Sequence, residues 1–157
     1  MSEKNQSDHA NIIMRPVFIY AIAILSAWAI NYLVPLSWAF FEYRYNSGLV
    51  FFILGLFVFL ISMGPFFKRK QNPDPLAPTA EIYQDGLYAF SRNPMYVSFN
   101  LITISLSLLL DNFWILILLL PTLIIMTYGV ILHEEAYLED KFGEEYKNYK
   151  KKVRRWL

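Results

Sequence analysis

The 157-residue sequence has no cysteine and only six glycines. Without a thiol there is no disulfide framework, no thiolate nucleophile, no Cys-ligated zinc and no iron–sulfur cluster. The scattered glycines form neither a GxGxxG nor a Walker A sequence, so a phosphate-cradling loop is excluded. An excess of either sign of charge is missing as well, with 14 Lys and Arg against 13 Asp and Glu and a formal net charge of +1. With 56% hydrophobic residues, that balance argues against a disordered chain. It also argues against nucleic-acid binding through a basic face.

The placement of the missing charge says more. Residues 16–41, 45–67, 93–110 and 112–132 carry none at all. A soluble helix or strand keeps a wet face that needs polar residues, so these stretches read as membrane-embedded. A helix crosses the hydrocarbon core in about 20 residues. Residues 17–34 supply one span, closed by Pro35, and residues 49–67 a second, with Gly55 and Gly64 available for close helix contact. The apolar stretch from Tyr96 to Leu132 is too long for one crossing and is interrupted by Asp111-Asn112, which is turn chemistry. It is therefore predicted to be a helical hairpin with arms at 96–110 and 113–132, the second kinked at Pro121. The first apolar run, containing Ala27-Trp28-Ala29, superficially resembles a signal peptide. It exceeds the apolar region of such peptides, about 7–15 residues, and further spans follow, so it is read as a retained span.

The expected fold is thus all-α: a polytopic helical membrane protein with four transmembrane helices, forming a single membrane domain over residues 1–157. Arg44 alone among the fourteen basic residues falls between the first two spans. The positive-inside rule then places both termini in the cytoplasm, in the cell membrane of a prokaryote or the endoplasmic reticulum of a eukaryote. The polar chemistry collects on one face, in a connector at 68–95 and a tail at 133–157. The tail has helical spacing, and its basic run from Lys147 to Arg155 suits either a helix lying on an anionic membrane or a solvated tail. The spans contain no ionisable residue besides Asp111, so a proton or ion pathway is disfavoured.

Two groups remain that can carry chemistry. Arg92-Asn93-Pro94-Met95-Tyr96 lies where the connector enters the third span. It is either an interfacial anchor, with Tyr88 and Tyr96 in the aromatic belt and Arg92 snorkelling, or the rim of a small-molecule pocket. His133-Glu134-Glu135 ends the fourth span. Paired acids at a helix C-terminus oppose the helix dipole, so they are either solvated and paired with nearby basic residues or bind something positive. No metal site is expected, because consecutive residues point in different directions and His9, the only other histidine, is far away in sequence.

The run Gly86-Leu87-Tyr88-Ala89-Phe90-Ser91-Arg92-Asn93-Pro94-Met95-Tyr96 resembles the Gly-x-Tyr…Arg-His-Pro-x-Tyr segment of the isoprenylcysteine carboxyl methyltransferase family and related phospholipid methyltransferases. Glu134-Glu135, with Leu138 and Phe142-Gly143-Glu144-Glu145-Tyr146 and Tyr149, is similar to the Glu-Glu and Phe-Gly-x-x-Tyr pattern that follows the same hairpin there. The resemblance covers residues 80–153. It implies a helical membrane enzyme that transfers a methyl group from S-adenosylmethionine without a Rossmann domain. By position it implies a cofactor site from Glu81, Ile82, Tyr83, Tyr88, Arg92, Asn93, Pro94, Met95, Tyr96, Glu134 and Glu135. No catalytic base is assigned.

Glu134 would take the cofactor ammonium, Arg92 its carboxylate, and tyrosine faces the sulfonium. Asn93 stands where the family has histidine, and Val130 where the isoprenylcysteine enzymes have a substrate-binding arginine. The expected acceptor is therefore a lipophilic small molecule or a lipid headgroup rather than a prenylated carboxylate, with membrane lipids as partners and neither nucleic acid nor metal involved. The contrasting readings are a non-enzymatic membrane scaffold with a basic lipid- or partner-binding tail, and a lipid reductase of similar architecture.

Overall fold

Proline sets the first helix. Arg15 is extended (φ −60°, ψ 135°), and Pro16 follows at the first helical position, where its fixed φ suits the helix and its missing N–H is not needed. In the computed structural model, which describes residues 8–157, α1 spans Pro16–Leu33 and α2 spans Arg44–Lys68. After a single 3₁₀ turn at Gly86–Ala89, α3 covers Pro94–Leu109, again with proline at its start. Then come α4 (Phe113–Met126), a π turn (Thr127–Ile131), α5 (Leu132–Phe142) and α6 (Glu144–Lys152). The fold is all-α, and its one β-type pairing among the described residues is an isolated bridge between Ser91 and Arg154.

Among the described residues three helices are long and apolar enough to cross a bilayer: α1, α2, and the continuous 30-residue helix Phe113–Phe142. α3 is apolar but has only 16 residues. The chain is thus a polytopic helical membrane protein. Outward faces of α1 and α2 carry exposed Phe18, Leu25, Trp28, Ile53 and Phe57, an apolar surface that lipid rather than water suits. The shared core brings together Ile19 and Tyr20 of α1, Tyr96 of α3 and Leu119 and Met126 of α4, with Val130 and Ile131 of the π turn.

The hairpin between α3 and α4 turns at Asp111-Asn112, as its polar pair predicts. Asp111 adopts φ 54°, a left-handed geometry that Asp tolerates. Its carboxylate accepts from the Trp38 backbone N–H at 2.8 Å and lies 3.5 Å from the Arg44 guanidinium. The Asn112 side chain caps α4 by accepting from Trp114 N–H at 3.1 Å and donates to the Ala27 carbonyl of α1. Arg44 also donates to the Leu108 carbonyl, and α2 accordingly starts at Arg44, five residues ahead of the expected span.

Three further details go beyond the expectations. α4 contains Pro121 without a break, and a π turn follows at Thr127–Ile131. There Gly129 lets the N-terminal segment approach. A Cβ at this position would sit 2.3 Å from Ile13 Cδ1, and the Gly129 carbonyl accepts from Ile13 N–H at 3.0 Å. Of the two glycines expected at helix contacts, Gly55 is at one and Gly64 is not. A Cβ on Gly55 would lie 2.8 Å from Ile102 of α3, whereas one on Gly64 would meet nothing within 4 Å. Finally, the tail is not solvated on all sides but is held to the protein by its aromatic face. Gly143 (φ 55°) ends α5, and α6 folds back so that Tyr146, Tyr149 and Val153 pack with Ile82, Leu138 and Phe142. An aromatic stripe prefers such burial to exposure to water.

The α2–α3 seam is testable. Gly55→Ala is expected to destabilise by about 1–3 kcal/mol through overpacking. Gly64→Ala is expected to leave stability unchanged or raise it by up to about 1 kcal/mol through helix propensity. Thermal unfolding of the two variants in detergent micelles checks the contrast.

Candidate functional site

The connector is drawn under the bundle by backbone pairing with the C-terminal residues. Arg92 N–H donates to the Arg154 carbonyl at 2.9 Å, and Asn93 Nδ2 donates to the Arg155 carbonyl at 2.9 Å. This registers Arg92 between the start of α3 and the start of α5. Gly86 (φ 59°) begins the 3₁₀ turn that turns Tyr88 inward. Tyr88 is held from both ends: its hydroxyl donates to the Ser62 carbonyl of α2 at 3.4 Å, and its carbonyl accepts from Tyr149 of α6 at 2.7 Å.

These elements line an open-mouthed cavity of about 150 Å³. Of the residues singled out from the sequence, Glu81, Ile82, Tyr83, Tyr88, Arg92, Asn93, Met95, Tyr96 and Glu134 line it. Pro94 does not, being the first residue of α3, and neither does Glu135, which lies behind Arg92. The lining also includes residues that were not expected in the cofactor site. Tyr149 belongs to the quoted Phe-Gly-x-x-Tyr region and carried a usable signal, whereas Ala10, Phe66 and the segment 72–75 carried none.

Arg92 does not snorkel, and its side chain is only 9% exposed. One terminal nitrogen, Nη2, lies 3.1 Å from Glu135 Oε1. Its Nε and Nη1 are buried without a hydrogen-bond partner, as is the Tyr83 hydroxyl. Unpaired donors buried in this way cost free energy unless a ligand accepts from them. Glu135 is also buried, gripped on its other side by Arg155 at 2.8 and 2.9 Å. Glu134 differs from its neighbour. It accepts from the Tyr96 hydroxyl at 2.5 Å and, among the described residues, makes no ion pair. The site thus holds one carboxylate with no cation and one guanidinium with two free donors.

Aromatic rings close the sides. Tyr83 packs edge-on against Phe66 at 4.7 Å and near Tyr88 at 5.8 Å, with the Arg69 guanidinium 5.0 Å from its ring centre. Arg69 also pairs with Glu81, so that acid, although it lines the cavity, is already neutralised. Burial raises the phenol pKa values of Tyr88, Tyr146 and Tyr149 above their ordinary value. All three stay neutral hydrogen-bond donors across the physiological range.

His133 lies outside this cavity, in a surface cleft with His9, Asp8, Asp140 and Lys141. The two histidines, expected to be apart, line the same cleft because Asp8 pairs with Lys141 and accepts from Tyr137. Among the described residues no three His, Asp or Glu side chains are grouped to hold a metal.

Residues 43–145 match the phospholipid methyltransferase family, a stretch that contains all nine of the expected cofactor-site residues that line the cavity. The chain belongs to that family. It is 34% identical over 120 residues to the Schizosaccharomyces pombe protein named Protein-S-isoprenylcysteine O-methyltransferase, covering 72% of this chain and 49% of that one. The chain thus spans about half the length of that relative. A Haemophilus influenzae protein named only as uncharacterized is 43% identical over 63 residues, which is 40% of this chain and all of that one. No solved structure matches.

The burial of Glu135 between two arginines sets it apart from the more exposed Glu139 on the same helix. Glu135→Ala strands Arg92 in the interior and is expected to lower stability by about 3 kcal/mol or more. Glu139→Ala removes only a half-exposed pair with Lys150 and is expected to leave stability essentially unchanged. Melting temperatures of the two variants in micelles distinguish them.

Proposed function

We propose that this family member is an S-adenosylmethionine-dependent methyltransferase acting on a lipophilic small molecule or a lipid headgroup. The observation that carries the reading is the complementary pair facing one cavity. Among the described residues Glu134 has no cation, and Arg92 has two buried donors with no acceptor. An α-amino acid group needs such a pair, with the carboxylate taking an ammonium and the guanidinium a carboxylate. The tyrosine walls suit a sulfonium through their ring faces.

When bound, S-adenosylmethionine supplies an electrophilic methyl on sulfur. The chain's own part is positional. Tyr96 holds the Glu134 carboxylate through its hydroxyl, Tyr149 and Ser62 hold Tyr88, and the C-terminal residues hold Arg92 and Asn93. A site fixed in this way orients reactants and excludes water, which accelerates displacement without a dedicated base when the acceptor is a good nucleophile.

Val130 favours an acceptor without a carboxylate. It is fully buried in the apolar core beside Tyr96 and Met126, so this position offers no counter-ion to an anionic acceptor. We place the cavity on the cytoplasmic face, with α3 as a short fourth crossing packed along α2 and both termini on that side.

Saturating S-adenosylhomocysteine, at about 100 times its dissociation constant, should stabilise the protein by about 2.7 kcal/mol, roughly 5–10 °C in Tm. Glu134→Gln should remove most of that shift. Unchanged melting of the wild type with ligand would overturn the reading. Topology is checked separately, because the chain has no cysteine of its own. Cysteines introduced at exposed Ser37 and Lys151 are expected to react with an impermeant maleimide from opposite sides of the membrane.

A further inference from the structure

Arg155 lies beyond the residues that match the family and does not line the cavity. Its side chain nevertheless controls what Arg92 can offer. Arg155 Nε and Nη2 reach Glu135 Oε1 and Oε2 at 2.8 and 2.9 Å, a two-pronged contact that takes both oxygens of a carboxylate only 6% exposed. Arg92 is thereby limited to a single contact, its Nη2 at 3.1 Å from Oε1. A guanidinium and a carboxylate alone together prefer the paired fork. If Glu135 were free to form that fork with Arg92, the donors left over for the cavity would be fewer and differently aimed. As it stands, Nε and Nη1 are buried with no partner.

The main chain at this point is held independently of the side chain. The Arg155 carbonyl accepts from Asn93 Nδ2, the Arg154 carbonyl accepts from Arg92 N–H, and Trp156 packs against the bundle core. Removing the Arg155 side chain therefore leaves the C-terminal strap attached.

We propose that Arg155 is a positioning residue: by occupying both oxygens of Glu135 it keeps the Arg92 guanidinium open to accept a ligand carboxylate. This rests on the proposed binding of an S-adenosyl amino acid in the cavity. Arg155 touches no ligand and acts only through Glu135 and Arg92.

The test compares two ligands by calorimetric titration of the full chain in micelles. S-Adenosylhomocysteine carries the carboxylate, and its decarboxylated analogue keeps the nucleoside, sulfur and amine but lacks that group. The wild type should prefer the first by roughly tenfold or more, the worth of a charge-assisted contact in a buried site. Arg155→Ala should bring the two affinities to within about threefold of each other while binding the analogue about as well as the wild type does. A preference that survives the substitution, or an equal loss for both ligands, overturns the positioning role. A wild type that binds neither ligand overturns the cofactor reading beneath it. Should Arg155→Ala not fold, Arg155→Lys supplies the same readout, since one ammonium cannot occupy both oxygens and the preference should fall.

Discussion

The Glu135 carboxylate is the point on which the architecture around the cavity turns. It is buried on α5 and held by Arg92 from the connector and Arg155 from the C-terminal residues, so three segments distant in sequence meet at one charge. A buried carboxylate is costly to leave unpaired, and each segment is thereby restricted to one place. The backbone contacts beside it, from Arg92 to Arg154 and from Asn93 to Arg155, follow the same docking. Once these are set, Tyr88, Tyr96 and Tyr149 have fixed positions around the cavity.

The neighbouring acid shows how adjacency in sequence becomes opposition in space. Glu134 and Glu135 are consecutive on one helix and therefore point about 100° apart around it. One faces the cavity and accepts from Tyr96; the other faces the two arginines. Paired acids at this position looked unfavourable against the helix dipole. The helix does not end there, however, but runs from Phe113 to Phe142, so the acids are interior to it. What offsets their burial is a guanidinium pair on one side and a phenol on the other.

The membrane part follows a different logic. Its helices meet through glycine and through polar side chains turned inward: Gly55 against Ile102, the Ser105 hydroxyl donating to the Gly48 carbonyl, and Trp38 Nε1 donating to Ser107. Without a solvophobic drive between helices in lipid, close backbone approach and such hydrogen bonds supply the association. The π turn at Thr127–Ile131 lies where this packing gives way to the site, and its Gly129 carbonyl accepts from the N-terminal segment whose Ala10 forms part of the cavity wall.

Composition and the placement of charge by themselves determined that the chain is a helical membrane protein with a hairpin at Asp111-Asn112. Those features depend only on local polarity and turn chemistry. Nine of the eleven residues singled out by the resemblance do line one cavity, because the short runs that contain them present side chains together from one turn of helix or loop. Tertiary structure alone decided that Glu135 supports the site from behind, that Gly48 rather than Gly64 meets α3, that His9 joins His133, and that the tail tyrosines pack inward. Each of these depends on contacts between segments tens of residues apart. The sequence shows such partners only once the intervening chain has folded back and set the distance between them.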